Sequence, residues 1–208
     1  MYILSHRGMW KEMTDRNSLR AIRESLLNGY GFESDLRDYK GQLVISHDIA
    51  GENSPFAESV FEMIKEINGN CYFAINIKAD GLNKKLVSLL EKYEITNYFA
   101  FDMSVPQMVE YLDMKLRIFT RQSELENKPV LYNESVGVWV DGFLNYDWIT
   151  QEVIDQHIMN GKQVCIVSPE LHKKEYKSFW QRLKLMDIDF TKIMLCTDLP
   201  EEANNFFG

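Results

Sequence analysis

The sequence predicts a (β/α)8 barrel of the TIM type, with a short hairpin after its second strand, on three observations. Short apolar runs alternate with helical patterns from one end of the chain to the other. Eight such strand–helix units fit into 208 residues once the return strand of the hairpin is set aside. The first run is followed by His6-Arg7-Gly8, not by the glycine-rich turn that an open doubly wound sheet more often carries there. Strands alternating with helices imply parallel pairing and right-handed crossovers, and eight units suffice to close a barrel. The open doubly wound sheet is the competing architecture.

The elements follow in order. Residues 2–5 form the first apolar run. A helix comes next, with Asn17 or Ser18 as N-cap and Leu19, Ile22, Leu26 and Leu27 on one face; Gly29 and Gly31 end it. The second run, residues 31–36, continues into a hairpin that turns at residues 39–41 and returns through residues 43–45 to His47. A helix over 55–67 carries Pro55 near its first turn. The third run is 71–77 with a helix over 82–93, and the fourth is 98–101 with a helix over 105–112. The fifth, 116–119, leads to a short helix or irregular piece around Pro129. The sixth is 136–140, with a helix over 150–160 that Gly161 caps. The seventh, 163–167, precedes a helix over 173–186; the eighth, 193–196, precedes a last helix over 200–207.

Length and composition make a single domain, residues 1–208, the simplest reading. A chain of this size buries roughly 70–75% of its unfolded surface, enough for a full core without disulfides or structural metal. A net charge of −8 argues against bulk nucleic-acid binding. Cys71, Cys165 and Cys196 lie in apolar runs, lack the spacing of a zinc site and are odd in number, which predicts reduced core thiols and a cytoplasmic protein. The first residues turn polar too soon for a signal peptide, and no stretch reaches the ~18 apolar residues of a membrane span. The oligomeric state is not legible.

In such a barrel the chemistry sits at the C-terminal ends of the strands. Glu33 and Asp35 are two apart on a strand, so both side chains leave one face. Two carboxylates in one small space repel unless a cation joins them, and oxygen ligands suit Mg2+, Ca2+ or Mn2+. The plainer reading has one or both facing solvent or paired with an arginine. His6 and His47 each end an apolar strand. Singly, each reads as well as a hydrogen-bonded core histidine; flanking one carboxylate pair, the two resemble a base and an acid on opposite sides of a reacting centre. His157 and His172 fall in or beside surface helices and carry no such suggestion. Arg7, Lys78 and Arg121 bring positive charge to the rim, where each is a solvated charge or a phosphate ligand. Trp139 is a core aromatic or a wall for the apolar part of a substrate.

As an ordered set these residues resemble the glycerophosphodiester phosphodiesterase family, within the wider group of phosphatidylinositol-specific phospholipase C-like barrels. His6-Arg7-Gly8, Arg16-Asn17-Ser18, the spacing of Gly29, Glu33 and Asp35, then His47-Asp48, and finally Thr197-Asp198-Leu199-Pro200 follow that family's motifs in its order. The resemblance implies a metal-dependent phosphoric diester hydrolase acting on a small-molecule phosphodiester. In it His6 and His47 are the acid–base pair, Glu33 and Asp35 hold a divalent ion (Mg2+ or Ca2+), and Arg7 and Lys78 hold the phosphate. Three departures mark a divergent member. Asn76 stands where the family has a metal-ligating Glu, and an amide oxygen still ligates a hard cation but brings no charge. Arg16 replaces the Glu before Asn17, and the segment after His47-Asp48 is short, implying a more open site. A catalytically degenerate barrel that binds a phosphorylated ligand is the alternative reading; an isomerase or lyase on the same fold is a third.

Overall fold

The computed structural model describes residues 1–67 and 71–208. The fold is a nearly closed (β/α)8 barrel: eight parallel strands and one antiparallel hairpin strand, with seven α-helices among the described residues. The strands are β1 (Tyr2–His6), β2 (Gly31–Tyr39), β3 (Gln42–Ile45), β4 (Phe73–Ile77), β5 (Tyr98–Phe101), β6 (Phe119–Gln122), β7 (Gly137–Val140), β8 (Gln163–Val167) and β9 (Ile193–Thr197). The helices are α1 (Leu19–Leu27), α2 (Ala57–Ile67), α3 (Asn83–Lys92), α4 (Val105–Asp113), α5 (Gln151–Met159), α6 (Lys177–Lys184) and α7 (Pro200–Phe207). The strand order is β5-β4-β2-β1-β9-β8-β7-β6, with β3 paired to β2. No helix among the described residues is long and apolar enough to cross a membrane.

Contacts divide the chain into two compact units, residues 5–118 and residues 1–4 with 119–208. In the 5–118 unit, β2 runs parallel to β4, which sets Asp35 level with Asn76, and β4 runs parallel to β5. The hairpin strand β3 returns antiparallel along β2, with Leu36 opposite Ile45. Lys40 and Gly41 both take positive φ, which gives this turn the twist that a tight hairpin needs. Phe32 stacks on Phe73 at 4.5 Å and Phe61 meets Phe73 edge-on at 5.6 Å, so the strands and α2 share an aromatic core. Ser18 caps α1 by accepting the Ala21 N–H, and Ser104 caps α4 with Pro106 in its first turn.

The turn after β1 lies tight against α1. Gly8 has φ +85°, and a Cβ there would come within 2.6 Å of the Ala21 carbonyl carbon. Both the backbone conformation and the space therefore require glycine. Gly8→Ala is expected to cost about 2–4 kcal/mol, read as a shift in the urea midpoint; a loss under about 0.5 kcal/mol would contradict the close approach.

In the other unit, β6 to β9 are consecutive parallel neighbours. Trp180 of α6 is fully buried, donates to Ser168 Oγ at 2.8 Å and is ringed by Tyr176, Phe206 and Phe207. Two differences from the sequence reading stand out, and of the two alternatives left open around Pro129 the irregular piece is the one found. The fifth barrel strand is Phe119–Gln122, not 116–119: Leu116 and Ile118 are buried without belonging to it. No α-helix lies between β6 and β7, which is why seven helices accompany eight parallel strands. The helix expected over 173–186 starts only at Lys177, after a 3-10 turn at Pro169–His172 that Lys173 ends in a left-handed conformation.

None of the three cysteines is in a disulfide; Cys165 and Cys196 are buried, and Cys71 is half-buried just before β4. His157 is buried, not superficial. Its Nε2–H donates to Gln122 Oε1 at 2.7 Å and its Nδ1 accepts from the Tyr132 hydroxyl at 2.9 Å. Burial pulls its pKa down to about 4, so it is a neutral structural histidine.

Candidate active site

The carboxylate pair is carried by β2 and is fully buried: Glu33 is 1% exposed and Asp35 0%. Around it the chain turns back sharply. Arg7, at the end of β1, takes φ 59°, and Asn17, just before α1, takes φ 60°. Both are left-handed non-glycine residues, a strain that tertiary contacts must hold in place. The contacts are present. The Arg7 N–H is shared between the Glu33 backbone carbonyl at 3.0 Å and Glu33 Oε2 at 3.2 Å. The Asn17 N–H donates to the Arg7 carbonyl at 2.9 Å.

Asp35 collects the positive charge. Its Oδ2 is 3.0 Å from Arg7 Nε and accepts from Asn17 Nδ2 at 2.8 Å. Its Oδ1 is 3.5 Å from Lys78 Nζ, which also lies 3.2 Å from Asp102 Oδ2. Asn17 Oδ1 in turn accepts from Ser34 Oγ at 2.8 Å. Asn17 thus joins the turn after β1 to β2, a role that its reading as a helix cap did not give it. Asp102 is the other addition; its charge explains why Lys78 leans between two carboxylates.

Glu33 is treated differently. Burial pushes its pKa up to about 8, and the Asp35 charge adds to that; Arg7, Lys78 and a hydrogen bond from Asn76 oppose it. His6 Nε2 stands 3.9 Å from Glu33 Oε2 and is 14% exposed on its side chain. Its backbone carbonyl accepts from Trp10 Nε1 at 3.0 Å.

Three buried oxygens here have no hydrogen-bond donor: Glu33 Oε1, Asp35 Oδ1 and Asn76 Oδ1. They belong to the three residues that the sequence nominated as metal ligands, on strands paired in register. Buried acceptors without donors are costly, and a hard cation satisfies such oxygens. The residues present therefore fit a divalent ion. Among the described residues no group of three His, Cys, Asp or Glu side chains is placed to hold a metal. The donor set is two carboxylates and an amide.

His47 lies beyond β3, 44% exposed on its side chain, with Nδ1 2.8 Å from Asp48 Oδ1. It lines an open pocket of about 670 Å3 together with Arg7, Arg16 and Asn17. Arg7 and Asn17 belong both to this pocket and to the carboxylate cluster. His6, Arg7, Glu33, Asp35, His47, Asn76 and Lys78 all belong to the 5–118 unit. Arg121 and Trp139 belong to the other. Arg121 pairs with Glu126 at 2.8 Å, and Trp139 is buried within β7.

No family model matches the chain, and no curated protein matches it by sequence. Solved structures do match by shape. A glycerophosphodiester phosphodiesterase from Parabacteroides distasonis superposes with TM-score 0.75 at 15% identity, over 99% of this chain and 96% of that one. A phosphodiesterase from Oleispira antarctica, in complex with the product sn-glycerol-3-phosphate, gives 0.72 at 12% identity, over 99% and 96%. A Ca2+-dependent phosphatidylinositol-specific phospholipase C from Streptomyces antibioticus gives 0.62 at 11%, over 100% and 96%. What this chain shares with them, along almost its whole length, is the barrel fold of the glycerophosphodiester phosphodiesterases.

Proposed function

We propose that this chain is a metal-dependent phosphodiesterase, glycerophosphodiester phosphodiesterase-like, that cleaves a small phosphodiester by acid–base catalysis from His6 and His47. The observation that carries the reading is the set of three donorless buried oxygens on Glu33, Asp35 and Asn76, beside His6 and between two cations. Glu33, Asp35 and Asn76 hold the ion in this reading, Mg2+ or Ca2+. When bound, it supplies electrostatic stabilisation of the phosphate oxygens.

The chain's own groups do the rest. Arg7 and Lys78 flank the carboxylates and draw the phosphate toward the cluster, Arg7 as a fork and Lys78 as a point charge. One histidine takes the proton of the attacking oxygen, which is water or a neighbouring hydroxyl of the substrate; the other protonates the leaving alkoxide. Cysteines that form no disulfide fit a reducing compartment, so we place the enzyme in the cytoplasm, acting on phosphodiesters from lipid turnover.

The test is release of an alcohol or phosphomonoester from a panel of phosphodiesters, with Mg2+, Ca2+ or Mn2+ and with chelator. Turnover that chelator abolishes is expected; folded protein inactive on the whole panel would reject the reading.

One observation favours a second reading, a phosphate-binding barrel without catalysis. Arg7 and Lys78 already stand 3.0 and 3.5 Å from Asp35, so part of the negative charge is balanced without metal. Calorimetry separates the two: phosphate-ester binding with no divalent-ion binding supports the second.

A further inference from the structure

Lys78 faces two carboxylates and hydrogen-bonds to one of them. β2, β4 and β5 run in register, with Asp35 level with Asn76 and Asn76 level with Phe101. The Lys78 N–H donates to the Leu36 carbonyl at 2.9 Å, so the chain just beyond β4 still holds to β2. Asp102 follows β5 directly and takes φ 70°. That left-handed conformation is uncommon outside glycine, although Asp and Asn reach it more readily than other residues. From these two anchors the Lys78 ammonium lies 3.5 Å from Asp35 Oδ1 and 3.2 Å from Asp102 Oδ2.

The two contacts differ in kind. The shorter is a hydrogen bond, in which Lys78 Nζ donates to Asp102 Oδ2. The longer is an attraction between charges, and Asp35 Oδ1 receives no hydrogen bond. Oδ2 of the same carboxylate is already engaged by Arg7 at 3.0 Å and Asn17 at 2.8 Å, so Oδ1 is the oxygen that remains. An ammonium donating to Oδ1 would occupy the lone pairs that a divalent ion needs. Lysine is a compact point charge on a flexible stem, so neighbouring acceptors set where its ammonium rests. The Lys78 side chain is 19% exposed and has little water to turn to, which leaves the two carboxylates to share it.

We propose that Asp102 is a positioning residue: it holds the Lys78 ammonium off Asp35, keeping Oδ1 for the ion and the ammonium for the substrate phosphate. The proposal rests on the metal-dependent reading for what takes Oδ1. It adds a third carboxylate to the site, one that acts through Lys78.

Calorimetric titration of chelator-treated protein with Mg2+ or Ca2+ tests it. Asp102→Gly permits the left-handed backbone and removes the acceptor; Asp102→Asn also tolerates that backbone and leaves an uncharged acceptor. Both should weaken ion binding, Asp102→Asn the less. A lost negative charge would weaken it too, so the deciding measurement repeats Asp102→Gly in a Lys78→Met background, where no ammonium can fall onto Asp35. The loss should be ~10–100-fold larger with Lys78 present than without it, the range of a hydrogen bond between charged groups. A crystal structure of metal-free Asp102→Gly gives a second readout: Lys78 Nζ should close to ~2.8 Å from Asp35 Oδ1. A thermal melt checks that each variant is folded. An equal loss in both backgrounds, or an ammonium that stays 3.5 Å from Oδ1, would overturn the proposal. Two further outcomes keep the ideas apart. Wild-type protein that binds no ion sinks the metal-dependent reading, and the purpose given to Asp102 with it. Wild type that binds the ion, with Asp102→Gly binding as tightly, sinks the proposal alone.

Discussion

His6→Ala and His47→Ala are each expected to lower kcat on an unactivated phosphodiester by ~10²–10⁴-fold, with KM changed far less. The two histidines stand in different surroundings, so their variants should differ in kind. His6 is nearly enclosed and faces the Glu33 carboxylate at 3.9 Å. His47 stands in the open pocket, with Nδ1 turned to Asp48 at 2.8 Å. That hydrogen bond orients the ring and leaves Nε2 for the substrate. A phosphodiester of p-nitrophenol needs no proton on its leaving group. The variant that lacks the acid should therefore recover most of its rate on that substrate, and the variant that lacks the base should not. The comparison assigns the roles without assuming them. A His47→Ala enzyme with full kcat on both substrates would remove His47 from the mechanism.

The sequence showed which residues bear charge at the strand ends but not how that charge is shared. Glu33 and Asp35 were legible as a same-face pair because strand periodicity is strict. Nothing local indicated that both cations would pair with Asp35 while burial and the Asp35 charge prevail at Glu33. That division comes from the left-handed turns at Arg7 and Asn17, which bring side chains 28 and 18 positions away in sequence onto Asp35. Arg7 and Asn17 gave no sign of it, since non-glycine residues reach positive φ only when the fold imposes it. Ser18, not Asn17, is the helix cap, which leaves the Asn17 amide to bridge. His157 was misplaced for a similar reason. Its partners Tyr132 and Gln122 lie 25 and 35 residues away, and only they make its burial acceptable. The fifth strand starts later than its apolar run because Ile118 joins the sheet only through a single parallel bridge to Ala100.

Glu33→Gln is expected to uncouple metal affinity from folding stability, and the sign follows from the raised pKa. Unfolded, this carboxyl titrates near 4.5; folded and without metal, it titrates near 8. Between those values the folded state holds a proton that the unfolded state has released. Stability of the metal-free protein therefore falls as pH rises from about 5 to 8, by on the order of a few kcal/mol. Glutamine has the shape of the protonated acid and no proton to lose. The variant should keep near-wild-type stability at pH 5, lose the decline across this window and be the more stable protein at pH 8. Divalent ions should reverse the order. A cation that binds only the folded wild type stabilises it by about 2.7 kcal/mol at a hundredfold excess over Kd. With one of only two anionic ligands gone, the variant should lose at least ~100-fold in affinity and show almost none of that gain. Urea unfolding at pH 5 and pH 8, with Mg2+ or Ca2+ and with chelator, reads all four corners. Equal metal-induced stabilisation of both proteins would mean that the ion is held elsewhere. An unchanged pH slope in Glu33→Gln would mean that Glu33 is not the group that sets it.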